Sequence, residues 1–203
     1  MPVVVIGGQA SGVGKTGVIC AMIAAMPERR WTAMKITQCS HGGADTKKCD
    51  CELDGAKFAI SEELIADASA DSSRYLAAGA VRSLWVRALP GYLADAMPAI
   101  RAAIGNTPNS ILESNSVLEF LKPDVCALIV SACIADFKPS ARRYLTRADA
   151  ILMVTPPPGR GAPQPAWGDK LQDELGRVPQ YAISHADLAP SQWLDFVRRK
   201  MNG

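Results

Sequence analysis

Hydrophobic positions change period along this chain, and the changes mark out alternating strands and helices. Val3, Val4, Val5 and Ile6 form an unbroken apolar run, the pattern of a strand buried on both faces. After Gly17, the residues Val18, Ala21, Met22, Ala25 and Met26 recur at three- and four-residue spacing, which predicts a helix. Residues 27–30 read as a turn and 31–37 as a second strand that ends in Lys35, Ile36 and Thr37. Residues 38–70 are polar and glycine-containing, too long for an ordinary connection, and are expected to be a functional or mobile loop. Asp71, Ser72 and Ser73 supply an N-cap for a helix through residue 80. A strand over 81–86, a helix over 90–104 with Leu93, Met97, Ile100 and Ile104 on one face, and a short strand closing on Glu113 follow. Asn115 is placed to cap a helical turn through Leu121. Strand 125–131, helix 139–147, strand 150–154, helix 168–175, strand 181–183 and helix 191–201 complete the pattern, interrupted by a proline-rich loop over 156–161.

Six to seven short apolar strands separated by helices imply an α/β fold: a doubly wound, mostly parallel sheet with helices on both faces, three layers in all. In such folds ligands sit outside the carboxyl ends of the strands. Polar residues just after a strand are therefore site candidates, and those on helix faces are solvated surface.

The strongest candidate lies between the first strand and the first helix. Gly7-Gly8-Gln9-Ala10-Ser11-Gly12-Val13-Gly14-Lys15-Thr16 is a glycine-rich loop ending in Gly-Lys-Thr, in the strand, loop, helix order that phosphate binding requires. Glycines let successive backbone N–H groups turn inward, and the helix N-terminus adds its dipole to that anion site. Residues Gly8 to Gly17 are thus expected to hold a nucleotide, with Lys15 on the terminal phosphates and the Thr16 hydroxyl on Mg²⁺. The spacing departs from the usual one, because Gly8 stands six positions before Gly14 where five is common.

Other strand ends add to it. Glu113 closes Ile-Leu-Glu-Ser-Asn, where an acidic group would hold Mg²⁺ directly or through water beside Thr16. Lys35 is placed to meet a phosphate or an anionic substrate, and Asp71 would act as a second metal ligand or base if its helix end faces the cleft. Asp136 and Lys138 follow a strand and read equally well as a γ-phosphate sensor or a helix-entry turn. In the long loop, Cys39, His41, Cys49 and Cys51 number enough ligands for one tetrahedral metal such as zinc, although each pair has one intervening residue and not two to four. A redox or substrate role, or no chemistry at all, stays open for these residues.

Composition narrows the class. The 203 residues suffice for one domain with a sizeable core, and a formal net charge of +2 gives no reason to expect a nucleic-acid or membrane surface. Six scattered cysteines, with no signal peptide and no span of about eighteen apolar residues, suit a reducing cytoplasm.

The loop from Gly8 to Thr16, Lys35 and Glu113 together resemble dethiobiotin synthetase and its relatives among the P-loop NTPases. The P-loop, Lys35 with a histidine-containing loop after it, and Asp71-Ser72-Ser73-Arg74 leading to Ala78-Gly79-Ala80 resemble the molybdopterin-guanine dinucleotide biosynthesis protein B family. These resemblances imply a P-loop NTPase fold with ATP or GTP and Mg²⁺, a role for Lys35 at a small second substrate, cofactor biosynthesis, and a homodimer. No Asn-Lys-x-Asp guanine-reading motif is present, so the base stays open. The expected activity is Mg²⁺-dependent triphosphate hydrolysis or phosphoryl transfer, including ligase-type chemistry, with Lys15, Lys35 and Asp71 in the reacting centre. The alternative is a nucleotide-dependent switch or binding module that acts on a protein partner.

Overall fold

The structure, a computed structural model, describes residues 1–38, 53, 55–67, 70–155 and 167–202. In chain order these form β1 (Val3–Gly8), α1 (Lys15–Ala25), β2 (Trp31–Gln38), β3 (Phe58–Glu62), α2 (Asp71–Ala77), β4 (Arg82–Ala88), α3 (Leu93–Gly105) and β5 (Asn109–Glu113). Then come β6 (Val125–Ser131), α4 (Pro139–Tyr144), β7 (Ala150–Val154), α5 (Asp169–Gly176), β8 (Gln180–Ile183) and α6 (Ser191–Asn202). The strands make one sheet in the order β3-β4-β2-β5-β1-β6-β7-β8. Every pairing is parallel except β3 with β4.

Alternation along the central strands sets the layers. Val4 and Ile6 of β1 pack with Val18, Ile19, Met22 and Ile23 of α1, Tyr75 of α2, and Trp193 and Val197 of α6. The intervening Val3 and Val5 pack on the opposite face with Leu93, Met97 and Ile100 of α3. A third cluster joins Leu128 and Val130 of β6 to Ala141 of α4 and Leu171 and Leu175 of α5. Helices α1, α2 and α6 therefore cover one face and α3, α4 and α5 the other. A strand buried on both faces contributes at every residue, at about 1.5–3 kcal/mol for each large side chain removed from water.

The expected α/β architecture is present, and the differences are local. The sheet has eight strands among the described residues because β3 lies inside the stretch expected to be one long loop. Only Phe58 and Ile60 mark it, since a five-residue, half-buried edge strand carries too few alternations to stand out. Helix α2 is capped by Ala70 and not by Asp71: the Ser73 hydroxyl accepts from the Ala70 N–H at 3.1 Å. Asp71 is thereby released for other contacts. Asn115 stands at the N-cap of the following 3-10 turn, its carbonyl accepting the Leu118 N–H at 3.2 Å, but its side chain makes no capping bond there. The side-chain bond comes from Ser114, whose Oγ accepts the Val117 N–H at 3.1 Å. The Cys39, His41, Cys49 and Cys51 group and the proline-rich loop over 156–161 lie outside the described residues. Among the described residues no helix is long and apolar enough to cross a membrane.

Candidate nucleotide site

Strand β1 sits mid-sheet, with β5 on one side and β6 on the other, so the loop after it emerges where the chain's crossovers part. That loop is pinned at its base. Asn115 brackets Gly8, accepting its N–H and donating to its carbonyl, both at 2.9 Å. Gln9, fully buried, has its side chain engaged by β6 and the segment after it. Its Oε1 accepts from the Ser131 N–H at 2.8 Å and its Nε2 donates to the Ile134 carbonyl at 2.6 Å. The Gln9 carbonyl also accepts from the Lys138 N–H at 2.8 Å, so the Asp136 to Lys138 turn serves as backbone support for the loop.

The loop then swings into α1 through Gly14, whose φ of 104° lies in the left-handed region that glycine occupies without strain. The N–H groups of Lys15, Thr16 and Gly17 have no partner within the helix, and these residues line a cavity. The cavity measures about 640 Å³, inside the range that holds a nucleotide-sized ligand. Ser11 through Gly17 line it together with Lys35, Asp71, Arg74 and Glu113. Gly8, Gln9 and Ala10 do not line it. They set the loop's position.

Six side chains from β2, β5, α1 and α2 interlock here. Thr16 Oγ1 donates to Glu113 Oε2 at 2.8 Å, and the Tyr75 hydroxyl donates to the same oxygen. Lys35 bonds Asp71 and lies 3.9 Å from Glu113 Oε1. Arg74 Nη1 stands 3.4 Å from Asp71 Oδ1. Glu113 is only 7% exposed, so its charge needs the two hydroxyl donors, Thr16 and Tyr75, and the Lys35 ammonium around it. Burial works to raise the Asp71 pKa, but the hydrogen bond and charge of Lys35 outweigh it and hold the carboxyl below its ordinary value. Burial, then the Glu113 charge, raise the Tyr75 pKa well above 10.0, so the phenol remains a donor. Lys15 Nζ donates to the Ala10 carbonyl at 3.3 Å, and burial lowers its pKa against the opposing pull of Glu113.

Across the cavity from these charges runs a different wall: Val154, Thr155, Ile183, Ser184, His185 and Leu188. Leu188 presses against Gly17, where an added Cβ would lie 3.1 Å from its Cδ1.

Sequence reasoning singled out Lys15, Thr16, Lys35, Asp71 and Glu113, and the structure brings all five together. It missed Tyr75, Arg74 and the far wall. Tyr75 reads as a core aromatic, although its position four residues after Asp71 places both on one side of α2.

The donor set suits Mg²⁺. Thr16 and Glu113 offer hard oxygen atoms to an ion that takes one or two protein ligands and fills the rest of its octahedron with phosphate and water. Among the described residues no group of three or more His, Cys, Asp or Glu is arranged to hold a metal by itself.

No protein-family model matches the chain, and no curated protein does. In three dimensions it is similar to HypB from Helicobacter pylori in complex with nickel, with a TM-score of 0.54 at 12% identity over 98% of this chain and 86% of that one. It is also similar to the apo form of LpxK from Aquifex aeolicus in complex with ATP, with a TM-score of 0.51 at 16% identity over 90% of this chain and 53% of that one. The chain thus spans about half of the LpxK chain. A zinc-bound triple mutant of the YjiA GTPase aligns with a TM-score of 0.45 at 16% identity, over 96% of this chain and 61% of that one. A phosphate-loop motif between a central parallel strand and its helix, set in a fold similar to those of HypB and LpxK, gives the chain the P-loop NTPase fold.

Proposed function

We propose that this protein binds a nucleoside triphosphate with Mg²⁺ and catalyses its hydrolysis or the transfer of its γ-phosphoryl group. The observation that carries the reading is the meeting, in one cavity, of the α1 amides, Lys15, and the Thr16–Glu113 pair. The amides of residues 15–17 would take the β-phosphate oxygens, and Lys15 would leave the Ala10 carbonyl for the β- and γ-oxygens. Mg²⁺, when bound, neutralises charge developing between those phosphates. Thr16 and Glu113 would hold it. The wall formed by Ile183, His185 and Leu188 would take the base.

Lys35 and Asp71 flank the phosphate end and would orient the attacking group, a water or a small second substrate. Reactions of this kind rest on positioning and charge, which is what such a cluster supplies. A role in cofactor biosynthesis, a homodimeric state and a cytoplasmic location accord with the sequence resemblances and belong to the same proposal.

Thermal-shift measurements with ATP, GTP and CTP, each with Mg²⁺, test it, followed by assay of phosphate release. At least one triphosphate should raise the melting temperature, and Lys15→Ala should abolish that rise while leaving the fold intact. An undiminished rise in Lys15→Ala would overturn the assignment.

A further inference from the structure

The strand row that carries Glu113 and Lys35 continues outward along the sheet. Strand register aligns Glu113 of β5 with Lys35 of β2, Lys35 with Trp85 of β4, and Trp85 with Ser61 of β3. Residues in one row of a sheet point to one face. Trp85 therefore shares the face of Lys35 and Glu113, one strand spacing of about 4.8 Å beyond the lysine. The next row on that face, Thr37, Arg87 and Ala59, continues it toward the carboxyl ends of β2 and β4.

This row is unlike its surroundings. Of the four tryptophans, Trp31 and Trp193 are fully buried and Trp167 is 7% exposed, whereas Trp85 is half-buried and belongs to none of the three hydrophobic clusters. Its Nε1 donates to Thr37 Oγ1 at 3.2 Å, which fixes the indole. The Arg87 guanidinium lies 4.6 Å from the centroid of that indole, and its Nη2 donates to Ser61 Oγ at 3.0 Å. Its Nε is buried and has no partner among the described residues.

Arg82, five residues earlier on the same strand, shows what a satisfied guanidinium looks like here: its Nε and Nη2 meet the two Glu62 oxygens at 2.9 and 2.7 Å. Among the described residues Arg87 has no carboxylate. A permanently charged, half-buried guanidinium over an indole, with no carboxylate beside it among the described residues, has the chemistry to pair with a carboxylate or phosphate attached to a flat ring.

We propose that Trp85 and Arg87, with Lys35 beside them, form a docking site for a small planar acid. The anionic group would pair with Arg87 and the ring would lie along the indole. That its occupant is the second substrate rests on the nucleotide reading above. The binding of a planar acid does not.

Ligand-observed saturation-transfer NMR with benzoate, phenyl phosphate and cyclohexanecarboxylate tests the site, with saturating ADP and Mg²⁺ added in the phenyl phosphate arm to occupy the loop. Wild type should give transfer from a planar acid and at least about tenfold weaker binding of the cyclohexane acid, the ratio that ~1.4 kcal/mol represents. Benzoate and phenyl phosphate distinguish a carboxylate from a phosphate ligand. Arg87→Met should remove the signal and Trp85→Leu should erase the preference for the planar ring. The nucleotide-induced thermal shift, measured on the same samples, reports the fold and the loop.

Absence of transfer from both planar acids to wild type, or equal transfer to Arg87→Met with its nucleotide shift retained, would overturn the proposal. Loss of the nucleotide shift in wild type would overturn the nucleotide reading alone.

Discussion

Thr16 and Tyr75 donate to one and the same oxygen, Oε2 of Glu113. The hydroxyl that would face a metal and the phenol of a buried helix residue thus share an acceptor, and the phenol stays protonated because burial and the Glu113 charge raise its pKa. Tyr75 thereby fixes which way the carboxylate turns. Tyr75→Phe should cost about 1.5–3 kcal/mol in urea unfolding, the range for a hydrogen bond to a buried charge. The same variant should need more Mg²⁺ for full nucleotide affinity while binding nucleotide in EDTA as wild type does. Identical Mg²⁺ titrations would show that the phenol only fills space.

The lowered Lys15 pKa gives a pH dependence whose sign follows from its cause. Burial penalises the ammonium, so the penalty is complete below the folded-state pKa and is relieved as pH rises from there toward the unfolded value of 10.5. The free protein should gain stability across that alkaline window, and Lys15→Met should lack the gain. Nucleotide affinity runs the other way, because the charge that meets phosphate is lost. It should begin to fall at lower pH than an unperturbed lysine would cause, and Lys15→Arg should move the fall to higher pH. Binding measured calorimetrically across that range checks both signs.

Gly8 separates loop position from loop chemistry. A Cβ there would lie 2.7 Å from Val13 Cγ1 and 2.9 Å from Lys15 Cδ, so the Lys15 stem runs directly over this glycine. Both neighbours are side chains able to shift. Gly8→Ala should therefore cost only about 1–3 kcal/mol in stability, the usual toll of overpacking. Because the displaced lysine no longer reaches the phosphates, nucleotide affinity should drop by roughly tenfold or more, a loss of at least ~1.4 kcal/mol in binding. Unchanged affinity would mean that the lysine stem has another route into the cavity.

The parts of the site that were readable from sequence are those with local signatures. Val3 to Ile6 followed by Gly-Lys-Thr names its own strand, loop and helix, and Lys35 and Glu113 stand out because each closes an apolar run. Their pairing as register partners on β2 and β5 follows once the sheet order is known. Asn115 and Gln9 were opaque for the opposite reason. Their bonds reach partners 107 and 122 residues away, and no spacing rule records such a contact. Tyr75 was hidden because an aromatic in a short helix fits a core position as well as a hydrogen-bond donor. Strand β3 was hidden because an antiparallel edge needs only one buried face, and five residues show that weakly.

Three cysteines among the described residues differ enough in environment to report on the cavity. Cys133 is exposed and lines it beside the loop. Cys20 is half-buried on α1, and burial raises its thiol. Cys126 is buried, and burial together with Asp149 pushes its thiol up to about 12. Since the thiolate is the reacting form, iodoacetamide near neutral pH should modify Cys133 first, Cys20 slowly, and Cys126 only on unfolding. Peptide mapping by mass spectrometry resolves each site. A triphosphate seated on the α1 amides with Mg²⁺ would occupy the space in front of Cys133, so its modification should slow at least several-fold when nucleotide is bound, and the Cys20 rate should change less. If Cys133 reacts at one rate with and without a nucleotide that raises the melting temperature, the ligand occupies some other part of the molecule, and the cavity would have to be given up as its site.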